Sequence, residues 1–297
     1  MIKNLHKRLA RRVYYIGLLN KEDINLSAKQ RFKKIRWIDL GNYKHGWFAD
    51  PFIFSIDENK IEIFAEEYEF YNNKGRLVCL TIAKDGYRLL KVDEILTLET
   101  HLSFPIYIKS DGKCYVYPEN NESGSLKIYE YDTVKKKLIN PSTIINEPLM
   151  DTQICMIDGK YYAFGVKYST GQQIDTKVLY IYEAESLLGD YKLIQTICNE
   201  QCEERGAGKI FEYNGMLIRP AQCCEGDYGK AVILYKLKKD SNGKFSEEEV
   251  LRIEPNWTYR YGRGLHTFNA KAGLIAVDGN GYVYWRLNGF LRKLLRK

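Results

Sequence analysis

One design recurs five times along this sequence: an apolar run, a tight polar turn and a second apolar run. The segments are Asp50-PFIFSIDENKIEIFAEE, Phe104-PIYIKSDGKCYVYPEN, Asp151-TQICMIDGKYYAFGVK, Ala207-GKIFEYNGMLIRPAQ and His266-TFNAKAGLIAVDG. Their turns centre near Asp57–Lys60, Asp111-Gly112, Asp158-Gly159, Asn214-Gly215 and Ala272-Gly273. Asp-Gly and Asn-Gly between alternating apolar residues mark a β-hairpin, because the tight primed turns need positive φ at their central positions. About fifty residues separate one turn from the next, a period that suits four-stranded propeller blades. Strand-like runs between the hairpins, such as Arg76-LVCLTIA, Tyr87-RLLKVDEIL, Leu126-KIYEY, Val178-LYIYEA and Ala231-VILYKL, supply the outer half of each blade. The expectation is an all-β chain: a five-bladed β-propeller over residues 37–284, with short basic helical segments at its ends.

A closed β architecture can use all 297 residues around a single core, so two domains are not required. Hydrophobic residues at 45% are enough for that core and leave no case for disorder. The 24 tyrosines suit strands that are buried on one side and wet at one end, and the same rings stack on sugar faces. Seven cysteines at irregular spacing, and no apolar leader-like run of adequate length, lead to the expectation of a reduced, cytoplasmic protein. A zinc site from Cys198, Cys202, Cys223 and Cys224 lacks a paired C-x-x-C spacing, so buried free thiols are expected, with no metal and no cofactor.

The net charge of +7 gathers at the ends. Residues 1–36 carry Arg8, Arg11, Arg12, Lys33, Lys34 and Arg36 among others, and the body between the ends has more acidic than basic residues. That distribution excludes a nucleic-acid groove across the body and points to basic ends that touch an anionic surface. In residues 285–297, Trp285, Leu287, Phe290, Leu291, Leu294 and Leu295 fall on one helical face, with Arg286, Arg292, Lys293, Arg296 and Lys297 around the other. This is the pattern of an interfacial helix on anionic lipid, and Ile2–Leu19 is a weaker version of it. Packing of the apolar stripe on the propeller side is the competing reading. The protein is expected in the cytoplasm, at the inner face of the membrane if these ends dock there.

In a propeller the innermost strands converge on a central channel, and the residues that open them ring its mouth. Those residues are Asp50, Ser103–Pro105, Asp151, Arg205–Gly208, and His266 with Asn269. The second strands add Glu66, Glu67, Glu119, Arg219 and Gln222. Carboxylates, arginines and a histidine at equivalent places in several blades are costly to bury unpaired. The choice is therefore between a functional site and a set of ion pairs that staples the blades together.

Trp47-Phe-Ala-Asp50-Pro-Phe-Ile resembles the W-x-x-D-P opening of blade one in the arabinanase, xylosidase and invertase-like furanosidases, which implies a base or nucleophile at Asp50. The longer set is more specific: Trp47-FADPFIF, IFAEEY at 63–68, HLSFP at 101–105, DGKCYVYPEN at 111–120, RGAG at 205–208, IRPAQ at 218–222, Tyr228-Gly229 and GLHTFN at 264–269. It is similar to the N-terminal propeller domain of plant glucosamine inositolphosphorylceramide transferases and its bacterial relatives. That resemblance implies surface-polysaccharide or glycolipid synthesis, and adds Trp47, His101 and Tyr228 to the substrate-binding set. The chain departs from the hydrolase pattern: Phe104-Pro105 stands where those enzymes have a second aspartate, and Asp151 where they have a glutamate acid. Glu119 and Asp151 are the remaining candidates for an acid, with His266 managing charge beside them.

Three functions follow from these residues. The first is a glycosyltransferase that uses a nucleotide-sugar donor and a glycan or lipid-linked acceptor, with Arg205 and Arg219 holding the leaving diphosphate. The second is a furanosidase-type glycoside hydrolase working through a carboxylate pair. The third is a non-catalytic sugar-binding propeller. No P-loop or dinucleotide motif is present, and Gly262-Arg-Gly264 reads as a turn or bulge.

Overall fold

The computed structural model describes residues 10–23, 30–31, 34–168, 174–198, 205–224, 228–256 and 260–283. Five sheets, antiparallel except where Gln30–Arg31 pairs parallel with Phe245–Glu254, hold most of them. Blade one is Gly46–Ile56, Lys60–Glu69, Lys74–Ala83 and Leu89–Leu96, in that order from the inside outward. Blades two, three and four repeat the scheme from innermost strands Tyr107–Ser110, Leu149–Ile157 and Phe211–Tyr213. Blade five starts with Phe268–Lys271 and Leu274–Val283.

The turns behave as the sequence demands. Asp111, Asp158, Asn214 and Ala272 have φ of 49°, 51°, 49° and 46°, and the glycine after each is also at positive φ. Two successive positive φ values give the primed turn whose twist matches the strands it joins. In blade one the longer turn is closed by Asp57, whose Oδ1 accepts the N–H groups of Asn59 and Lys60 at 2.8 and 2.7 Å.

The ring is closed by the N-terminal region. Arg11–Asn20 is a strand, paired along its whole length with Leu274–Val283, and it supplies the third strand of blade five. The N-terminal helix expected over this run is therefore replaced by a strand. Its Val13, Ile16, Leu18 and Leu19 are buried and Tyr14 with them, so both faces are covered, which a surface helix with one apolar stripe could not satisfy. The helix expected at 285–297 lies outside the described residues. The only helices among the described residues are two single turns, Lys21–Asp23 and Asn121–Ser123.

The core lies between neighbouring blades. Phe52 and Phe64 of blade one pack with Tyr107, Tyr117 and Tyr131 of blade two and Ile154 of blade three. Tyr162 and Phe164 meet Phe245 and Leu237 across the third interface. Buried polar groups add directional staples: Tyr107 Oη donates to Ile53 O at 2.7 Å, the Ile154 amide donates to Tyr117 Oη at 3.0 Å, and Asn269 Nδ2 donates to Pro51 O at 2.8 Å. Buried tyrosines that span interfaces in this way explain why the chain uses so many, since a buried hydroxyl needs a partner. Cys79, Cys114 and Cys223 are buried free thiols, whereas Cys202 lies outside the described residues.

Candidate active site

The sequence folds the same way at the opening of blades one, two and three, and with an unusual backbone. Asp50, Phe104 and Asp151 occupy equivalent repeat positions, and their φ values are 50°, 47° and 44°. Left-handed backbone is strained for these residues and is kept where it re-aims a side chain. The register slips by a residue between Ala49 and Phe52 and again between Met150 and Gln153, so each aspartate sits in a β-bulge. The bulge carries the two carboxylates into the channel mouth. At the same place in blade two, Phe104 instead packs edge-on against Phe52 with ring centres 5.0 Å apart.

A pocket of about 320 Å³ opens there. Asp50, Glu66, Glu119, Asp151, Arg205 and His266 supply its charged wall together with Glu122, a residue the sequence did not single out, and Trp47, His101, Gln222 and Tyr228 also face it. These ten predicted residues come together, from all five blades. Asp50 is 5% exposed, and its Oδ2 accepts the Phe104 amide at 3.0 Å. Its Oδ1 lies 3.7 Å from His266 Nε2. Burial pushes the Asp50 carboxyl up to about 7 against the pull of His266, with Asp278 and Asp151 adding to the rise.

Asp278 organises this corner. Its Oδ1 receives His266 Nδ1 at 2.6 Å and the backbone amides of His266 and Thr267 at 3.2 and 3.1 Å, while Oδ2 takes the Asp50 amide at 3.0 Å. Burial alone would strip His266 of its charge, but Asp278, with smaller help from Asp50 and Asp151, offsets it and raises the imidazolium to about 9. The reciprocal pull keeps Asp278 below its ordinary range. Ligand atoms of Asp50, His266 and Asp278 lie within 4.8 Å of one another, so these are the residues that could hold a cation, although His266 Nδ1 and both Asp278 oxygens already have partners.

On the opposite wall, Arg205 grips Asp151 through Nε at 2.8 Å and Nη2 at 2.7 Å, and Gln222 Nε2 donates to the same carboxylate at 2.9 Å. The Arg205 guanidinium also stands 5.3 Å from the Tyr228 ring centre. Glu119 accepts the Asn121 amide at 3.3 Å, and burial followed by Asp151 pushes its carboxyl up to about 8. Glu66 is raised well above the usual range by burial and by Asp50, and its Oε1 lies 3.4 Å from His101 Nε2. His101 Nδ1 accepts the Gly75 amide at 2.9 Å, which leaves Nε2 as the donor of a neutral ring facing Glu66. Gly75 is required there: a Cβ would stand 2.6 Å from Glu66 Oε1 and 2.8 Å from the His101 ring.

Three predicted residues lie elsewhere. Glu67 alternates away from Glu66 along the strand and is bound by Arg76 at 2.9 Å and by the Tyr43 hydroxyl. Arg219 is fully buried and pairs bidentately with Glu247 of its own blade, with Nη2–Oε2 at 2.8 Å, while its Nη1 donates to Gln153 of blade three at 3.3 Å, so it serves the blade packing and does not face the mouth. Asn269 bridges Pro51 O and the Lys209 amide below the mouth. Ion pairing and strand alternation decide these three positions.

Reading the sequence alone missed Asp278 and, in the aromatic wall, Tyr14 and Tyr68. Tyr14, from the ring-closing strand, stacks on His266 at 4.8 Å and tilts against Trp47 at 5.0 Å; Trp47 in turn lies flat on Tyr68 at 4.8 Å with a 1° interplanar angle. One signal for Asp278 exists, a lone carboxylate directly after the apolar run Leu274-IAV. Tyr14 gives no local signal, since its role depends on a pairing about 260 residues away.

The arrangement combines a carboxyl group that titrates near neutrality, a protonated carboxylic acid, a fixed imidazolium and an aromatic wall. Carboxyl groups raised by burial toward neutrality beside one another are the usual equipment for proton transfer at a sugar acetal.

Residues 38–265 match the model of the family described as glucosamine inositolphosphorylceramide transferase 1, N-terminal. Among curated proteins, glucosamine inositolphosphorylceramide transferase 1 of Oryza sativa subsp. japonica is 25% identical over 214 residues, covering 71% of this chain and 29% of its own length. The protein of the same name from Arabidopsis thaliana is 27% identical over 208 residues, covering 69% and 27%. This chain thus spans less than a third of those relatives. Among solved structures, the α-L-arabinanase of Cellvibrio cellulosa superposes with a TM-score of 0.52 at 13% identity, over 73% of this chain and 84% of the other, which shows a shared fold.

Proposed function

We propose that this chain, which belongs to the glucosamine inositolphosphorylceramide transferase 1 N-terminal family, is a carbohydrate-active enzyme that transfers a sugar in glycolipid or cell-surface polysaccharide synthesis. The observation that carries the reading is Asp50: a buried carboxylate in a sugar-sized pocket, aimed by a strained bulge and free of any arginine pair. A base locked to arginine would be a poor one, and here the arginine of the mouth is spent on Asp151. In transfer, Asp50 takes the proton of the acceptor hydroxyl or attacks the anomeric carbon, while Glu119, protonated at neutral pH, donates to the departing oxygen. The His266 imidazolium stabilises charge on Asp50, and the rings of Trp47, Tyr68 and Tyr228 offer stacking faces for the sugar.

A nucleotide-sugar donor is the finer form of this reading, and of the two arginines expected to hold its diphosphate only Arg205 lines the mouth. Five carboxyl groups in the mouth favour a donor with a less charged leaving group, which gives weight to the second reading, hydrolysis by a carboxylate pair. The acceptor we propose is glycan or lipid-linked, reached from the cytoplasmic face of an anionic membrane by way of the basic ends. A thermal-shift panel of nucleotide sugars, simple glycosides and free sugars tests this on the full chain, because a bound ligand stabilises by mass action. Stabilisation by a nucleotide sugar supports transfer from that donor, stabilisation by glycosides alone supports the carboxylate-pair enzyme, and no response to any sugar contradicts a carbohydrate site.

A further inference from the structure

Below the acidic mouth, the same strands build a site of opposite charge. A second pocket of about 310 Å³ is lined by four of the five blades, and its charged groups are Lys109, Lys209 and Lys271 alone. Lys109 and Lys271 each lie five residues past the blade openings at Phe104 and His266, about 16 Å along an extended strand. This pocket is therefore distinct from the sugar site. Lys209 Nζ sits over the Tyr107 ring at 3.4 Å, and Lys271 Nζ contacts the hydroxyl of the same tyrosine at 2.7 Å and the carbonyl of Phe54 at 2.5 Å. Lys109 Nζ stands 5.7 Å over the Phe54 ring, and Lys271 Nζ 6.0 Å over it.

We propose that Lys109, Lys209 and Lys271 form a binding site for a phosphate-type oxyanion in the propeller channel. Three ammonium groups gathered on two aromatic rings repel one another, and no aspartate or glutamate lines the pocket to compensate. The ionisable groups acting on Lys209 besides its own burial are Lys271, Cys114 and Lys109. Burial and those lysines bring Lys209 down to about 7, so in the empty site its charge is held at a cost. A multiply charged anion removes that cost, and the aromatic and carbonyl contacts fix the lysines around it as charge-assisted donors. A phosphate dianion fits the excess charge better than a carboxylate. Its source is either free phosphate or a phosphomonoester headgroup.

The test uses the full chain in phosphate-free buffer. Calorimetric titration with inorganic phosphate is one arm, and co-sedimentation with phosphatidate vesicles, against phosphatidylcholine vesicles, is the other. Parent, Lys209→Met, Lys271→Gln and the surface control Lys44→Gln are compared. Binding in either arm that falls about tenfold or more in the two site variants, with the control equal to parent, supports the site and identifies the source. Lys209→Met should also leave the melting temperature unchanged or higher, since it deletes a costly charge. Equal binding by parent and site variants in both arms, or no binding by the parent in either, overturns the proposal.

Discussion

His266 is held to Asp278 twice by one oxygen: the ring Nδ1 and the backbone amide of the histidine both reach Asp278 Oδ1, at 2.6 and 3.2 Å. The arrangement fixes the ring so that Nε2 faces Asp50, and it makes Asp278 the reason the imidazolium survives burial. Asp278→Asn keeps the shape and removes the charge. The His266 titration, followed by NMR of the ring, should then fall from about 9 by more than a unit, and turnover should fall with it. A histidine that still titrates near 9 in the variant would show that Asp278 is not the cause.

The mouth should make the unliganded chain less stable as pH rises through the neutral range. Asp50 and Glu119 titrate at about 7 and about 8 in the folded chain against ordinary values near 4, and Glu66 is raised in the same direction. Between about pH 4 and 7 the folded state therefore holds more protons than the unfolded state, and stability present at the acid end is lost as pH climbs. His266, raised to about 9, extends the same sign above 6.5, while Lys209, lowered to about 7, opposes it above neutrality. Melting temperature measured from pH 5 to 7 should fall by several degrees, and the slope should flatten in Glu119→Gln. A melting temperature that rises across this window would contradict the protonation pattern assigned to the mouth.

Arg219 belongs to the scaffold. It is fully buried with Glu247, so Arg219→Met leaves an unpaired buried carboxylate and should cost about 3–5 kcal/mol in urea unfolding. Sugar affinity of the mouth should stay within about twofold of the parent. Weakened sugar binding at unchanged stability would return Arg219 to the site.

The difference between Arg219 and Arg205 marks where sequence stops being informative. The four Asp-Gly, Asn-Gly and Ala-Gly turns and the blade openings at Asp50, Asp151 and His266 are legible because local φ demands and hairpin spacing are written in adjacent residues. Whether an arginine near a blade opening faces the channel depends on strand alternation and on a partner far along the chain, Asp151 for Arg205 and Glu247 for Arg219. Arg11–Asn20 was open to a helical reading because its basic flanks and short apolar run fit an amphipathic helix, whereas its burial on both faces comes from pairing with Leu274–Val283. Tyr14 reaches the mouth only through that pairing, and Asp278 matters only once His266 and the Asp50 amide are seen on its two oxygens.

Asp50, which faces His266 and has no arginine partner among the described residues, is the carboxylate we propose acts on the sugar. Asp50→Asn changes one charge and almost no volume, so the fold, the melting transition at pH 5 and sugar affinity within a few-fold should survive. Turnover of whichever glycoside or nucleotide sugar the binding panel identifies should drop by about a thousandfold or more, in the range expected on removing a general base or nucleophile. Product formation at the parental rate by a folded, sugar-binding Asp50→Asn protein would contradict the assignment, and the mouth would then be a sugar-binding site without carboxylate chemistry at Asp50.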